Sequence, residues 1–265
     1  APNAKIIHMD IDPAEIGKNI SVDYPLVGNI KDILSIMNAK IKEKEYSDWN
    51  RQIDEWKRLH PVKYTEDNSL KPQYIIEKIY EITKGEAIIT TEVGQHQIWA
   101  AQFYKFRNPR QYISSGGLGT MGYGLGASIG AQLARPDKRV INIAGDGSFR
   151  MNLNELATAV EYKVPVIIAL INNHALGMVR QWQNLFYDSR YSSSSIGKGT
   201  DFVAIAEAFG AVGINVDKKE KVDDALHKAL QYTDRPVLIN FEISEDEKVF
   251  PIVPPGAPIN ELIEE

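Results

Sequence analysis

From about residue 72 to residue 242, short unbroken apolar runs alternate with segments of helical spacing. Ala87–Thr91, Tyr112–Ser115, Arg139–Ala144, Val166–Ile171, Ala211–Val216 and Pro236–Glu242 read as strands. Between and around them, helices are expected over residues marked by Ile75, Ile76, Ile79, Tyr80 and Ile82, and over Gln97–Phe106, Gly122–Ala134, Asn152–Tyr162, Phe202–Phe209 and Val222–Tyr232. Continuous apolar strands separated by helices demand a parallel sheet covered on both faces. The expected fold class is therefore α/β, with a doubly wound parallel sheet.

The first seventy residues read differently. Lys5–Asp12 has the pattern of a buried strand, and Asn29–Lys42 that of a helix. Residues 42 to 70 are densely charged, with Trp49, Trp56 and Pro61 interleaved, and suggest a helix followed by an extended crossing. The two tryptophans are seven residues apart and share a helix face, which predicts packing rather than ligand binding. The expected organisation is a small segment 1–42, a linker 43–70 and a main domain 71–265. The chain has no initiator Met and opens almost directly on a strand, which suggests that it begins inside something larger.

Composition narrows the function. The 265 residues are 43% hydrophobic with a net charge of −5, which points away from nucleic-acid and anionic-membrane partners. The longest apolar run, Val164–Ile171, falls far short of the roughly 20 residues a membrane helix needs. No cysteine is present, so disulfides, iron–sulfur clusters and thiolate catalysis are excluded. With no visible signal peptide, a reducing, cytoplasmic location is expected.

Two motifs carry chemistry. Gly117, Gly119 and Gly122 satisfy GxGxxG between a strand and a helix. That spacing suits a dinucleotide pyrophosphate, or simply a closely packed helix rich in small residues. A dinucleotide site also wants an acidic residue at the end of the next strand; Asp137 precedes that strand, and Asp146 sits at its end but in a Gly-Asp-Gly turn. The stronger motif is that turn, Gly145-Asp146-Gly147-Ser148, paired with Asn172-Asn173 at the end of the following strand. Asp146 and Asn173 stand 27 residues apart, at the carboxyl ends of two strands of one sheet. A carboxylate and an amide oxygen make a sparse oxygen site, suited to Mg²⁺ that takes its other ligands from water and a diphosphate. The alternative is an ordinary Asp turn beside an Asn cap.

This pairing resembles the fingerprint of thiamine-diphosphate (ThDP) decarboxylases and carboligases. Longer phrases resemble the acetolactate (acetohydroxyacid) synthase catalytic subunits in particular: TTEVGQHQIWAAQFYKF, ISSGGLGTMGYGLGASIGAQLA, INNHALGMVRQWQNLFYDSRY and VFPIVPPGAPINELI. The resemblance implies that Asp146, Asn173 and the main-chain carbonyl of Ala175 hold the metal. It places Gln95, His96, Gly119, Met121, Gly145, Gly147, Ser148, Ala175, Leu176, Gly177 and Met178 around ThDP. Met121 is implied to support the bent cofactor, and His96 to lie near the reacting centre, with a hydrogen-bonded structural histidine as the alternative. Met178, Val179 and Trp182 are implied substrate contacts, Trp182 at the position associated with 2-ketobutyrate preference. His174 is expected to be exposed. Gly126 stands where the family usually carries Pro.

Segment 1–42 resembles the end of a central FAD-associated domain, with Asp10 an FAD candidate by that analogy alone, and 71–265 resembles the ThDP diphosphate-binding domain. The implied reaction joins decarboxylated pyruvate to a second 2-ketoacid, pyruvate or 2-ketobutyrate, giving 2-acetolactate or 2-aceto-2-hydroxybutyrate in branched-chain amino acid biosynthesis. A homodimer or larger homo-oligomer and a small regulatory subunit are implied partners. The glutamate that would contact the aminopyrimidine N1′ is implied to come from an N-terminal domain, and no segment here resembles it. No catalytic residue is therefore assigned, and the chain alone is expected to be inactive. The rival readings are another ThDP enzyme, of glyoxylate carboligase or pyruvate oxidase type, and a non-catalytic nucleotide-binding module.

Overall fold

The computed structural model describes residues 3–264. The chain divides into two compact units, residues 1–61 and 62–265, with the boundary inside the charged 43–70 stretch. Residues 1, 2 and 265, the outer ends of the two expected segments, lie outside the described residues.

The first unit holds strands β1 (Ile7–Asp10) and β2 (Tyr24–Val27) and helices α1 (Ile30–Asn38) and α2 (Ser47–Leu59). β1 and β2 pair in parallel, and β2 was not legible in the sequence. The expected buried strand is a correction: Ile7 is 50% exposed, because a two-stranded sheet cannot cover both of its own faces. Asn29 caps α1 by accepting from the Lys31 N–H, and the helix stops at Asn38, before the charged run from Lys40. Trp49 and Trp56 do share a face of α2, where their rings meet edge to face at 5.6 Å.

The second unit contains, in chain order, α3 (Pro72–Ile82), β3 (Ile88–Thr91), α4 (Gln95–Phe103), β4 (Tyr112–Ser114), α5 (Tyr123–Ala134), β5 (Val140–Gly145), α6 (Asp146–Phe149), α7 (Leu156–Glu161), β6 (Ile167–Asn172), α8 (Gly177–Phe186), α9 (Phe202–Ala208), β7 (Val212–Val216), α10 (Val222–Leu230) and β8 (Val237–Glu242). The six strands β3–β8 form one parallel sheet in the order β4-β3-β5-β6-β8-β7. Side chains alternate across it. Ile141, Ile143, Ile167 and Ile239 pack with Ile75, Ile79, Trp99 and Leu226 of α3, α4 and α10. Val140, Ala144, Ile168 and Leu238 pack with Leu125, Leu156 and Phe202 of α5, α7 and α9. Two buried faces of one parallel sheet are the doubly wound α/β fold the sequence predicts.

The order reverses direction at β3: the chain goes to β4 on one side and returns to β5 on the other. Open α/β sheets bind ligands outside the carboxyl ends of strands at such a switch point. Gly124 makes the packing there possible. A Cβ on it would stand 2.5 Å from Asn142 Oδ1 and from Glu92 Cγ, so α5 lies against β3 and β5 only with glycine in place.

Candidate functional site

The loops leaving β3, β5 and β6 enclose a cavity of about 320 Å³. From β3 come Val93, Gly94, Gln95 and His96, running into Gln97, Ile98 and Trp99 of α4. From β5 come Gly145, Asp146, Gly147 and Ser148, and from β6 come Asn173, Ala175, Leu176, Gly177, Met178 and Val179. Gly119 and Met121, from the loop before α5, complete the wall.

Each loop turns for a local reason. Gly94, at φ 144°, lets β3 pass directly into α4, two residues earlier than the apolar spacing suggests. Gln95 and His96 thereby enter a helical first turn facing the cavity. The Gly-Asp-Gly-Ser turn is itself a single helical turn, α6. After β6 the two asparagines fold the chain back on itself: Asn172 Oδ1 accepts from the His174 N–H and Asn173 Oδ1 from the Ala175 N–H, each at 3.2 Å. The N-termini of α4, α6 and α8 all open on the cavity, which presents backbone N–H groups and positive dipole ends there.

Glycine is required by the site's own contacts. A Cβ on Gly145 would stand 2.6 Å from His96 Nδ1, and one on Gly147 2.8 Å from Leu176 Cδ2. One on Gly177 would collide with Gln95 Oε1 and lie 2.6 Å from Asn173 Nδ2. Gln95 ties the site together. Its Nε2 donates to Gln181 Oε1 at 2.9 Å and to the Glu247 carbonyl at 2.8 Å, while its Oε1 accepts from Asn173 Nδ2 at 3.2 Å. Ser148 donates to the Val93 carbonyl at 3.1 Å, linking the β5 and β3 loops.

Asp146 is 1% exposed, and its Oδ2 has no hydrogen-bond partner among the described residues. Burial pushes its carboxyl up to about 6, against the pull of the Gly147 N–H and the charges of His174 and Arg150. A buried carboxylate oxygen without a donor is a group suited to a cation. Among the described residues no three His, Cys, Asp or Glu side chains gather as a metal-binding group. A metal here would draw on Asp146, the free lone pair of Asn173 Oδ1 and main-chain oxygen, with further oxygens from its ligand. His96 is also buried, and its Nε2 is unpartnered among the described residues. Burial holds it near 3, so the ring is neutral.

The cavity thus gathers every ThDP and metal candidate named from the sequence. Trp182 lies apart from it, in an outer groove it shares with Met178, Val179 and Tyr187. Asp10 belongs to the first unit, where its carboxylate accepts from the Asp12 N–H. His174 is not exposed as expected; it is largely buried and bonded to Glu242 at 2.6 Å.

Sequence reasoning missed Glu92. Both its oxygens are buried without a well-formed hydrogen bond among the described residues. Burial pushes its carboxyl up to about 7, although Ser148, Asn142 and the Gly122 N–H face it. Its position directly after the strand Ile88–Thr91 was the available signal. Gln181, which accepts from the Val249 N–H and donates to its carbonyl, was missed as well, hidden in the polar text of α8.

Residues 92–241, more than half the chain, match the thiamine pyrophosphate enzyme, C-terminal TPP binding domain. The chain belongs to the thiamine pyrophosphate enzyme family. In this family member, residues 1–37 also match the thiamine pyrophosphate enzyme, central domain. Over 99% of its length it is 44% identical to an acetolactate synthase of Mycobacterium leprae, covering 44% of that protein. It is 40% identical to the acetolactate synthase large subunit of Haemophilus influenzae, over 99% of the chain and 47% of the relative. It is likewise 40% identical to the acetolactate synthase isozyme 3 large subunit of Escherichia coli, over 98% and 47%. The chain thus spans less than half the length of the curated relatives it matches. Among the described residues no helix is long and apolar enough to cross a membrane.

Proposed function

We propose that this chain is the diphosphate- and metal-binding part of an acetolactate synthase catalytic subunit. The observation that carries this reading is the buried Oδ2 of Asp146, without a hydrogen-bond partner among the described residues, on a cavity bounded by helix N-termini. Asp146, Asn173 and the Ala175 carbonyl would hold Mg²⁺. Gly145, Gly147, Ser148, Gln95, Leu176 and Gly177 would enclose the diphosphate, where dipole ends favour an anion. Gly119, Met121 and Met178 would border the organic part of the cofactor, Met121 as an apolar support for its bend. His96, neutral and unpartnered at Nε2, would offer a hydrogen bond to the reacting region without adding charge.

Bound ThDP supplies the electron sink for decarboxylation and carbon–carbon bond formation. The chain's residues bind it, orient it and exclude water from it. Met178, Val179 and Trp182 would meet the 2-ketoacids, pyruvate and 2-ketobutyrate. Residues 1–42 would be the end of a central FAD-associated domain, with Asp10 near FAD. The relatives named large subunits support a small regulatory partner, and a homo-oligomer in the cytoplasm fits the same reading.

Calorimetric titration tests the assignment. ThDP should bind only with Mg²⁺; NAD binding without metal would instead favour a nucleotide-binding module. The chain incubated with ThDP, Mg²⁺, FAD and pyruvate should yield no acetolactate, because no N1′ glutamate is assigned to it. Products from pyruvate plus 2-ketobutyrate, measured with the complete enzyme, distinguish acetolactate synthase from other ThDP enzymes.

A further inference from the structure

On the opposite side of the Asn173 turn from the cavity lies a polar network that the function proposed above does not use. Asn172 ends β6 opposite Glu242 of β8, and Asn240, two residues earlier on β8, stands opposite Asn215 of β7. Asn172 Nδ2 donates to Asn240 Oδ1 at 3.0 Å, and Asn240 Nδ2 donates to Asn215 Oδ1 at 2.8 Å. Glu242 Oε1 accepts from Asn240 Nδ2 at 2.7 Å and from Asn172 Nδ2 at 3.2 Å. Glu242 Oε2 accepts from His174 Nε2 at 2.6 Å. His174 itself has φ 57°, a left-handed conformation that L side chains disfavour. Its ring lines a polar cleft with Glu242, Lys198, Thr200 and Asp201, while its neighbours Asn173 and Ala175 line the cavity.

We infer that Glu242 is a positioning residue: by anchoring the His174 ring it holds the 173–175 turn so that Asn173 and Ala175 both face the cavity. The consequence for metal binding rests on the Mg²⁺–ThDP reading; the positioning itself does not. The argument is geometric. A side chain in the left-handed region flips back to ordinary φ unless something fixes it. Such a flip would swing the flanking amide and carbonyl away from Asp146. The backbone of the turn is held by the Asn172 and Asn173 caps and the Ile196 amide; the contact that holds the His174 ring comes from β8, whose Asn240 and Glu242 bond Asn215 of β7 and Asn172 of β6.

The test uses the whole chain in four forms: wild type, Glu242→Ala, Glu242→Gln, and Glu242→Ala combined with His174→Gly. Without metal, hydrogen exchange is read at Leu176 and Ile196, whose amides donate to the Ser194 and His174 carbonyls. Glu242→Ala should speed both. Glu242→Gln should not, because its amide can accept from the asparagines and donate to the ring. The double variant should recover, because glycine takes positive φ without an anchor. In Mg²⁺ titrations at fixed ThDP, well below each melting temperature, Glu242→Ala should raise half-saturation about tenfold, in line with other outer partners of metal ligands.

Unchanged exchange in Glu242→Ala overturns the inference. So does a lower melting temperature with unchanged Mg²⁺ half-saturation, since that is a structural role alone. Faster exchange, with no Mg²⁺-dependent ThDP binding even in wild type, supports the positioning and overturns the metal reading instead.

Discussion

Asn173 donates from its side-chain amide to Oε1 of Gln95 at 3.2 Å, joining the loop after β6 to the first turn of α4 across 78 residues of sequence. The bond fixes which end of the amide is the oxygen: Nδ2 is committed to Gln95 and Oδ1 to the Ala175 N–H, leaving one lone pair over.

Gly177 lies against this pair, and a Cβ there would collide with both partners. Gly177→Ala should therefore destabilise the chain by about 1–3 kcal/mol and weaken ThDP binding. Gly126→Ala is the control. It adds its methyl in open space on α5 and should stabilise by about 0.5–1 kcal/mol, with binding unchanged. Denaturant melts beside ThDP titrations separate the two; equal effects from both substitutions would refute the packing argument.

Asp146 sets a trade between stability and binding. Its ionised form is held in a poorly hydrated place, without a partner for Oδ2 among the described residues. Asp146→Asn should melt at or above the wild-type temperature when metal is absent. In the wild type, a hundredfold excess of Mg²⁺–ThDP over its Kd should add about 2.7 kcal/mol. The variant should gain nothing. Thermal melts with and without the ligand pair decide it.

Glu92 makes stability depend on pH. Burial raises its carboxyl from an ordinary 4.5 to about 7. A group raised on folding contributes stability that is complete below pH 4.5 and lost as the pH climbs through 7. Glu92→Gln cannot titrate. The stability of wild type minus that of the variant should fall by up to about 3 kcal/mol between pH 4.5 and 8. Paired denaturant melts measure it, and Asp146 cancels because both proteins carry it.

The sheet was legible because its strands are buried on both faces and so read as largely apolar runs, of which Ile167–Ile171 is the clearest. The Asp146–Asn173 pair was legible because glycine and asparagine at strand ends are uncommon text. The start of α4 was not, since its placement depends on Gly94 at positive φ, and the buried residues of its first turn are Gln95 and His96 rather than apolar ones. β1 misled because apolar sequence reports what a strand could bury, not what is there to cover it. His174 and Glu242 were out of reach: 68 residues separate them, and only the β6–β8 pairing brings them together.

Trp182 separates substrate contact from cofactor binding. It is 38% exposed and lies outside the inner cavity, with its ring edge-on to Phe186 at 5.8 Å. Trp182→Leu gives up that aromatic contact, about 0.5–1.5 kcal/mol, so the melting temperature should move little. Mg²⁺-dependent ThDP affinity should not change, because the residues lining the inner cavity are untouched. The change should appear in competition between pyruvate and 2-ketobutyrate in the complete enzyme, where on the function proposed above the outer groove with Met178 and Val179 would receive the second ketoacid. Loss of an aromatic wall favours the smaller acceptor relative to the larger, so the share of 2-aceto-2-hydroxybutyrate should fall. A variant that binds ThDP more weakly while keeping the wild-type product ratio would place Trp182 with the cofactor and not with the substrate.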